Sequence, residues 1–221
     1  MSNKDSEVQF ERAVYIDLEW NCWDSTKPTT QHREIIEIGA VELNLETLEI
    51  ELQKDYLVRP RPFDISDRCT AITGLTAADL KCSPLLPEVL ARFEQDFSPK
   101  QKMCCTWGHD SEFLAEACGR YKLRSPLRNC VDVAQLFWRN FLLRAQPSLR
   151  TAMDVLGIEF DGVAHTALAD AKNTAAVHAA MIRRMRGISD SVPAYAPVVT
   201  DESPATVFGE TLSRALRSAS S

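Results

Sequence analysis

The hydrophobic and polar positions change period several times along the chain. Residues 13–18 (AVYIDL) read as a strand, and 35–43 (IIEIGAVEL) alternate apolar and polar with β-branched residues, which predicts a second. Residues 47–58 (TLEIELQKDYLV) predict a third, joined to the second by a short hairpin link. The prolines of 59-RPRPF-63 then break the pattern, Ser66 is placed to cap a short helix, and 73-TGLT-76 reads as a turn into another helix start. Residues 84–97 have helical spacing at Leu86, Val89, Leu90 and Phe93. A short buried strand is predicted at 102–107, with Asp110 as the N-cap of the helix that follows. A last strand at 130–133, helices at 134–143 and 148–156, and a long helix at 167–187 closed by Gly187 complete the set.

Three strands come first, followed by helices alternating with strands. That order predicts an α/β fold with a mixed sheet. Residues 1–11 read as an N-terminal tail, 12–187 as one domain, and 188–221 as a C-terminal linker and tail, where a protein partner has room to attach.

Composition narrows the function classes. A chain of 221 residues with 45% hydrophobic content can bury a full core. Its net charge of −6 argues against holding nucleic acid by bulk charge. Local basic clusters, Arg120, Lys122, Arg124 and Arg128 and then Arg139, Arg144 and Arg150, fit either a rim for a strand end or a solvated surface. No run of 18 apolar residues occurs and the N-terminus lacks a basic-then-apolar leader, so neither a membrane span nor secretion is expected. Seven cysteines without a C-x-x-C pair read as reduced thiols in a cytoplasmic protein.

The segment 14-VYIDLEW-20 carries the candidate chemistry. Strand alternation puts Tyr15, Asp17 and Glu19 on one face and Val14, Ile16 and Leu18 on the other. Two acids at one strand end stay ionised together only if solvated or if a cation lies between them. Oxygen ligands of this kind suit Mg²⁺ or Mn²⁺. Two further acids extend the set: Asp110, after 105-CTWGH-109, and Asp170, in 165-HTALADAKN-173. Each also fits a plain helix-start acid. His165, on the loop into the last helix, fits either a loop residue or a base near neutral pH.

Together these motifs resemble the DEDDh 3′→5′ exonuclease superfamily of RNase H-like fold. 17-DLE-19 matches its first motif, Asp110 its second, and His165 with Asp170 its third. 33-REIIEIGAVELN-44, 57-LVRPRP-62, 66-SDRCTAITGLT-76 and 157-GIEFDGVAHTALADAKNTA-175 look like the Eri-like branch, and the resemblance covers roughly 12–186.

The resemblance implies a mixed five-stranded sheet flanked by helices. It also implies two Mg²⁺ ions, replaceable by Mn²⁺, roughly 3.5–4 Å apart. Asp17, Glu19, Asp110 and Asp170 would hold the ions and His165 would deprotonate the attacking water. The substrate it implies is the 3′ end of single-stranded RNA, shortened by nucleoside 5′-monophosphates. Single-stranded DNA or short oligoribonucleotides are the alternative, and a non-catalytic binding module a third reading. By the same resemblance main-chain groups near Trp20 and Asn21 meet the terminal nucleotide, the turn of Thr73, Gly74 and Leu75 lies beside its base or sugar, and Trp107 offers a stacking face. The chain departs from many relatives in having Trp20-Asn21 after the Glu and one residue fewer before Asp110.

Overall fold

A computed structural model describes residues 10–23 and 33–188. The expected tails, apart from residues 10, 11 and 188, and the middle of the loop after Asn21 lie outside the described residues.

Five strands form one mixed sheet in the order β3-β2-β1-β4-β5. β1 (Arg12–Trp20), β2 (Ile35–Asn44) and β3 (Ile50–Leu57) run antiparallel in sequence. β4 (Met103–Thr106) lies parallel to β1, and β5 (Cys130–Asp132) parallel to β4. The β2–β3 hairpin is longer than expected. Asn44 accepts the backbone N–H groups of Glu46 and Thr47, which turns the chain before β3 begins at Ile50.

Helices cover both faces. On one face, α3 (Leu86–Phe97) and α4 (Asp110–Arg120) pack Phe93, Phe97 and Leu114 against Val14, Ile16 and Leu18. On the other, α5 (Val133–Asn140), α6 (Leu149–Leu156) and α7 (Ala167–Met185) pack together, with α7 lying across β1 and β2. Alanines at 167, 169, 171, 175 and 179 are buried on α7, and their small side chains let the helix come close to the sheet. Two short helices, α1 (Asp67–Thr73) and α2 (Ala77–Leu80), follow β3. Ser66 caps α1 as expected, through Cys69 N–H at 3.0 Å. Among the described residues no helix is long and apolar enough to cross a membrane.

The parallel strands β1, β4 and β5 all end at one edge of the sheet. β1 is also where the sheet changes from antiparallel to parallel pairing. Ligand crevices in open α/β sheets form at such carboxyl ends.

Candidate active site

The alternation in β1 places Asp17 and Glu19 on one face, as predicted, and it is the α7 face, where Ala13 and Tyr15 of the same parity pack. Asp110 arrives from β4 through a turn, and Asp170 from the first turn of α7. Asp17 and Asp110 lie close enough that Asp110 is the strongest charge acting on the buried Asp17 carboxyl. Glu19, His165 and Asp170 each present a ligand atom, all within 4.8 Å of one another. The five residues expected to form the centre therefore meet at one strand end.

Burial drives the electrostatics of this cluster. It holds the Asp17 carboxyl well above its ordinary range, and Asp110, Asp170 and Glu19 add repulsion. Burial, then Glu37 and Asp170, push Glu19 up to about 9. Burial, then Asp132 and Asp170, push Asp110 up to about 8. Asp170 is also raised by burial, opposed by the His165 N–H and by the charges of His165 and Arg150. Carboxyls crowded in this way favour protons or an added cation. The carboxylate oxygens of this set fit a hard divalent ion that keeps waters for substrate oxygens. Two helix starts, α4 at Asp110 and α7 at Ala167, face the cluster and add partial positive charge.

Asp110 is not an N-cap. His109 occupies that position and Asp110 is the first helical residue, so its carboxylate is free to reach Asp17. The shortened turn before it is made possible by Gly108 at φ 86, in the left-handed region. Asp132 fixes this turn: one oxygen accepts Gly108 N–H at 3.0 Å and Gln135 N–H at 3.1 Å. His165 is held similarly. Its φ is 64, and its backbone N–H donates to Asp170 Oδ2 at 2.9 Å.

The expected substrate contacts are arranged differently. Asn21 is buried: it bonds Glu34 N–H through Oδ1 at 2.7 Å and the Asp64 carbonyl through Nδ2 at 3.3 Å. Its side chain closes the base of the loop, and its main-chain N–H donates to the Glu34 carbonyl at 2.9 Å. Trp20 follows an irregularity in the β1–β2 register, and its ring packs 4.7 Å from Phe113 of α4. That face is opposite to Glu19, so the ring is a packing group. Trp107 also packs, against the two clusters beneath α5–α7, with its ring centre 6.2 Å from Phe137. The 73–76 turn is internally tied. Thr73 Oγ1 donates to the Cys69 carbonyl and accepts Leu75 N–H, Gly74 has φ 76, and Leu75 packs beside Cys22 and Leu57. The turn thus borders the exit of β1 with its Thr73 hydroxyl already used. Arg120 is likewise committed, to Glu34, Glu116 and the Arg33 carbonyl.

Three residues at this edge are absent from the sequence reading. Asp132 is one. Glu37 is another: it pairs across from Glu19 and accepts Ala167 N–H at 3.1 Å. Burial, then Asp55, push Glu37 up to about 8. The third is Gly39, opposite Asp17; a Cβ there would lie 2.0 Å from the Ala167 carbonyl carbon. The sequence signal was a glutamate set within the apolar run 35-IIEIG-39.

Comparison with known proteins agrees with this geometry. The exonuclease family profile (RNase T) matches residues 14–178. ERI1 exoribonuclease 2 of Xenopus laevis is 32% identical over 200 residues, covering 78% of this chain and 28% of that protein. The 3′-5′ exoribonuclease 1 of Mus musculus is 29% identical over 181 residues, covering 76% of this chain and 52% of that protein. The chain spans about half or less of the length of these curated relatives. Among solved structures, the nuclease domain of 3′hExo bound to rAMP, a DEDDh family member, has a TM-score of 0.72 at 25% identity over 86% of this chain and 99% of that one. A 3′-exonuclease that recognises the 3′ end of a histone mRNA stem-loop has a TM-score of 0.72 at 27% identity, over 79% and 83% of the two chains. The profile match runs from β1 into α7, and the relatives agree with it: the chain belongs to the exonuclease (RNase T) family, in the Eri-like branch of the DEDDh 3′→5′ exonucleases.

Proposed function

We propose that the chain is a divalent-metal-dependent 3′→5′ exoribonuclease that shortens single-stranded RNA ends and releases nucleoside 5′-monophosphates. The observation that carries this reading is the meeting of Glu19, His165 and Asp170 within 4.8 Å, beside the buried carboxyls of Asp17 and Asp110. RNA is favoured because the curated relatives are named exoribonucleases and a structural neighbour holds rAMP.

In this reading Asp17, Glu19, Asp110 and Asp170 hold the cations, Mg²⁺ with Mn²⁺ as substitute. Bound there, the ions supply positive charge to the attacking and leaving oxygens of an in-line displacement. His165 takes the proton of the attacking water as the P–O3′ bond breaks. Asp170 orients His165 by accepting its backbone N–H. Asp132 holds the turn that delivers Asp110. Seven free cysteines suit RNA processing in a reducing compartment, which we take to be the cytoplasm.

The test is trimming of 5′-labelled single-stranded RNA against DNA of the same sequence, with Mg²⁺ and with Asp17→Asn as control. A ladder shortening from the 3′ end of RNA, and lost in the control, is expected. Equal or faster loss of DNA would overturn the substrate assignment, and cleavage retained in Asp17→Asn would overturn the site.

A further inference from the structure

We infer that Glu37 is a positioning residue of the nuclease centre: its carboxylate fixes the first turn of α7, and through that turn sets Asp170 and His165 against Glu19. This rests on the metal-centre reading above.

Glu37 is 4% exposed, and so needs partners. Two other glutamates in the same region, Glu34 and Glu42, are similarly buried and ion-paired, to Arg120 and to Lys102 and Arg12 respectively. Among the described residues no basic side chain forms an ion pair with Glu37. Its partners are the backbone N–H of Ala167, at 3.1 Å, and the Asp55 carboxyl on β3.

The Ala167 bond replaces a missing cap. Helix starts leave N–H groups without intrahelical acceptors, and the N-cap side chain ordinarily takes one. Thr166 is the N-cap of α7 and makes no such bond. The acceptor instead comes from a strand 130 residues earlier. Gly39, two residues further along the same face, completes the seat. A Cβ there would stand 2.2 Å from both Ala167 O and Leu168 N, so only glycine lets the helix rest on β2. One residue thus holds the helix start by a hydrogen bond, and the other admits it by having no side chain.

The seated turn carries the chemistry. Asp170 lies in it, and Asp170 Oδ2 holds the His165 N–H at 2.9 Å, with His165 at φ 64. A tilt of the helix start therefore moves one ligand and the base together. A displacement of about 1 Å at a reacting centre costs about 10²-fold in rate.

The experiment uses the full chain with Glu37→Gln and Glu37→Leu. Glutamine keeps an acceptor for Ala167 N–H and offers a donor to Asp55; leucine keeps the volume and offers neither. Mn²⁺ affinity is read by calorimetry, alongside kcat and KM on single-stranded RNA. Glu37→Leu is expected to lose about 10–100-fold in Mn²⁺ affinity, as outer partners of metal ligands do, and about 10²-fold in kcat, with KM for RNA unchanged. Glu37→Gln is expected to stay near wild type in all three. If Glu37→Leu does not fold, Ala167→Pro serves. It removes the donated N–H at a first helical position, where proline is tolerated, and Thr166 is already extended as a residue before proline must be. It should reproduce the same losses.

A Glu37→Leu or Ala167→Pro chain with wild-type Mn²⁺ affinity and kcat but a lower melting temperature would reduce Glu37 to a helix cap. Losses in Glu37→Gln as large as in Glu37→Leu would likewise overturn the inference. Failure of the wild-type chain to bind Mn²⁺ would instead overturn the metal reading itself, and this inference with it.

Discussion

Strand β2 carries two buried glutamates, Glu37 and Glu42, and the protein treats its two ends in opposite ways. At the Glu42 end, Lys102 and Arg12 supply cations, and Arg12 also binds Glu51 at 2.7 Å. Each acid there has a basic partner. At the Glu37 end, Asp17, Glu19, Asp110 and Asp170 gather with no ion-paired lysine or arginine among the described residues. Burial raises all four carboxyls, and repulsion adds to it at Asp17, Glu19 and Asp110. The same sheet, a few residues apart, satisfies one group of acids and leaves the other short of positive charge. The second arrangement costs stability in the metal-free protein and is intelligible as a binding site for cations.

That contrast can be broken most severely at Asp17. Asp17→Asn should lower RNA trimming by about 10³-fold or more, since one lost electrostatic contact at a reaction centre already costs about 10²–10³. The same change should raise the melting temperature without metal, because it removes a buried carboxyl from the repulsion. Unchanged or lower metal-free stability would show that the cluster is not strained.

His165→Ala should cost about 10²–10⁴ in turnover while Mn²⁺ still binds. Loss of Mn²⁺ binding in that variant would make His165 a ligand and not a base.

A pH titration of metal-free stability sharpens the contrast further. An acid whose folded pKa is raised binds more protons folded than unfolded, so stability falls as pH climbs from the ordinary carboxylate range towards the folded value. With Asp110 near 8 and Glu19 near 9, the melting temperature without metal should drop between pH 7 and 9. Mg²⁺ should flatten that drop, and a metal-free curve already flat over this window would contradict the shifts.

The smallest effect is expected at the other end of β2. Glu42→Gln should leave trimming unchanged and lower stability by about 1.5–3 kcal/mol, the range for a hydrogen bond to a charged group. A loss of activity there would dissolve the distinction between the two ends.

Much of this was legible in the sequence, for local reasons. Period-two alternation puts Asp17 and Glu19 on one face whatever lies above it, and the order of strands and helices requires a mixed sheet. Asp110, His165 and Asp170 stand in motifs whose spacing is itself informative. What was missed depends on contacts between distant segments. Glu37 matters because Ala167, 130 residues later, brings an N–H to it. Gly39 looks like any strand glycine until α7 is laid on it. Trp20 adjoins Glu19 in sequence, but strand alternation turns its ring to the opposite face, against Phe113. Asn21 also ties Glu34 and Asp64 together through its side chain, a role that only the folded loop reveals.

The most direct test of the central claim is a calorimetric Mg²⁺ titration of the full chain at pH 7 in buffers of different ionisation heat. The account predicts two ions bound with release of protons, because carboxyls raised to about 8 and 9 must give up protons to become ligands. Asp17→Asn should lose this binding. No Mg²⁺ bound by the wild-type chain, or two ions bound unchanged by Asp17→Asn, would contradict the account.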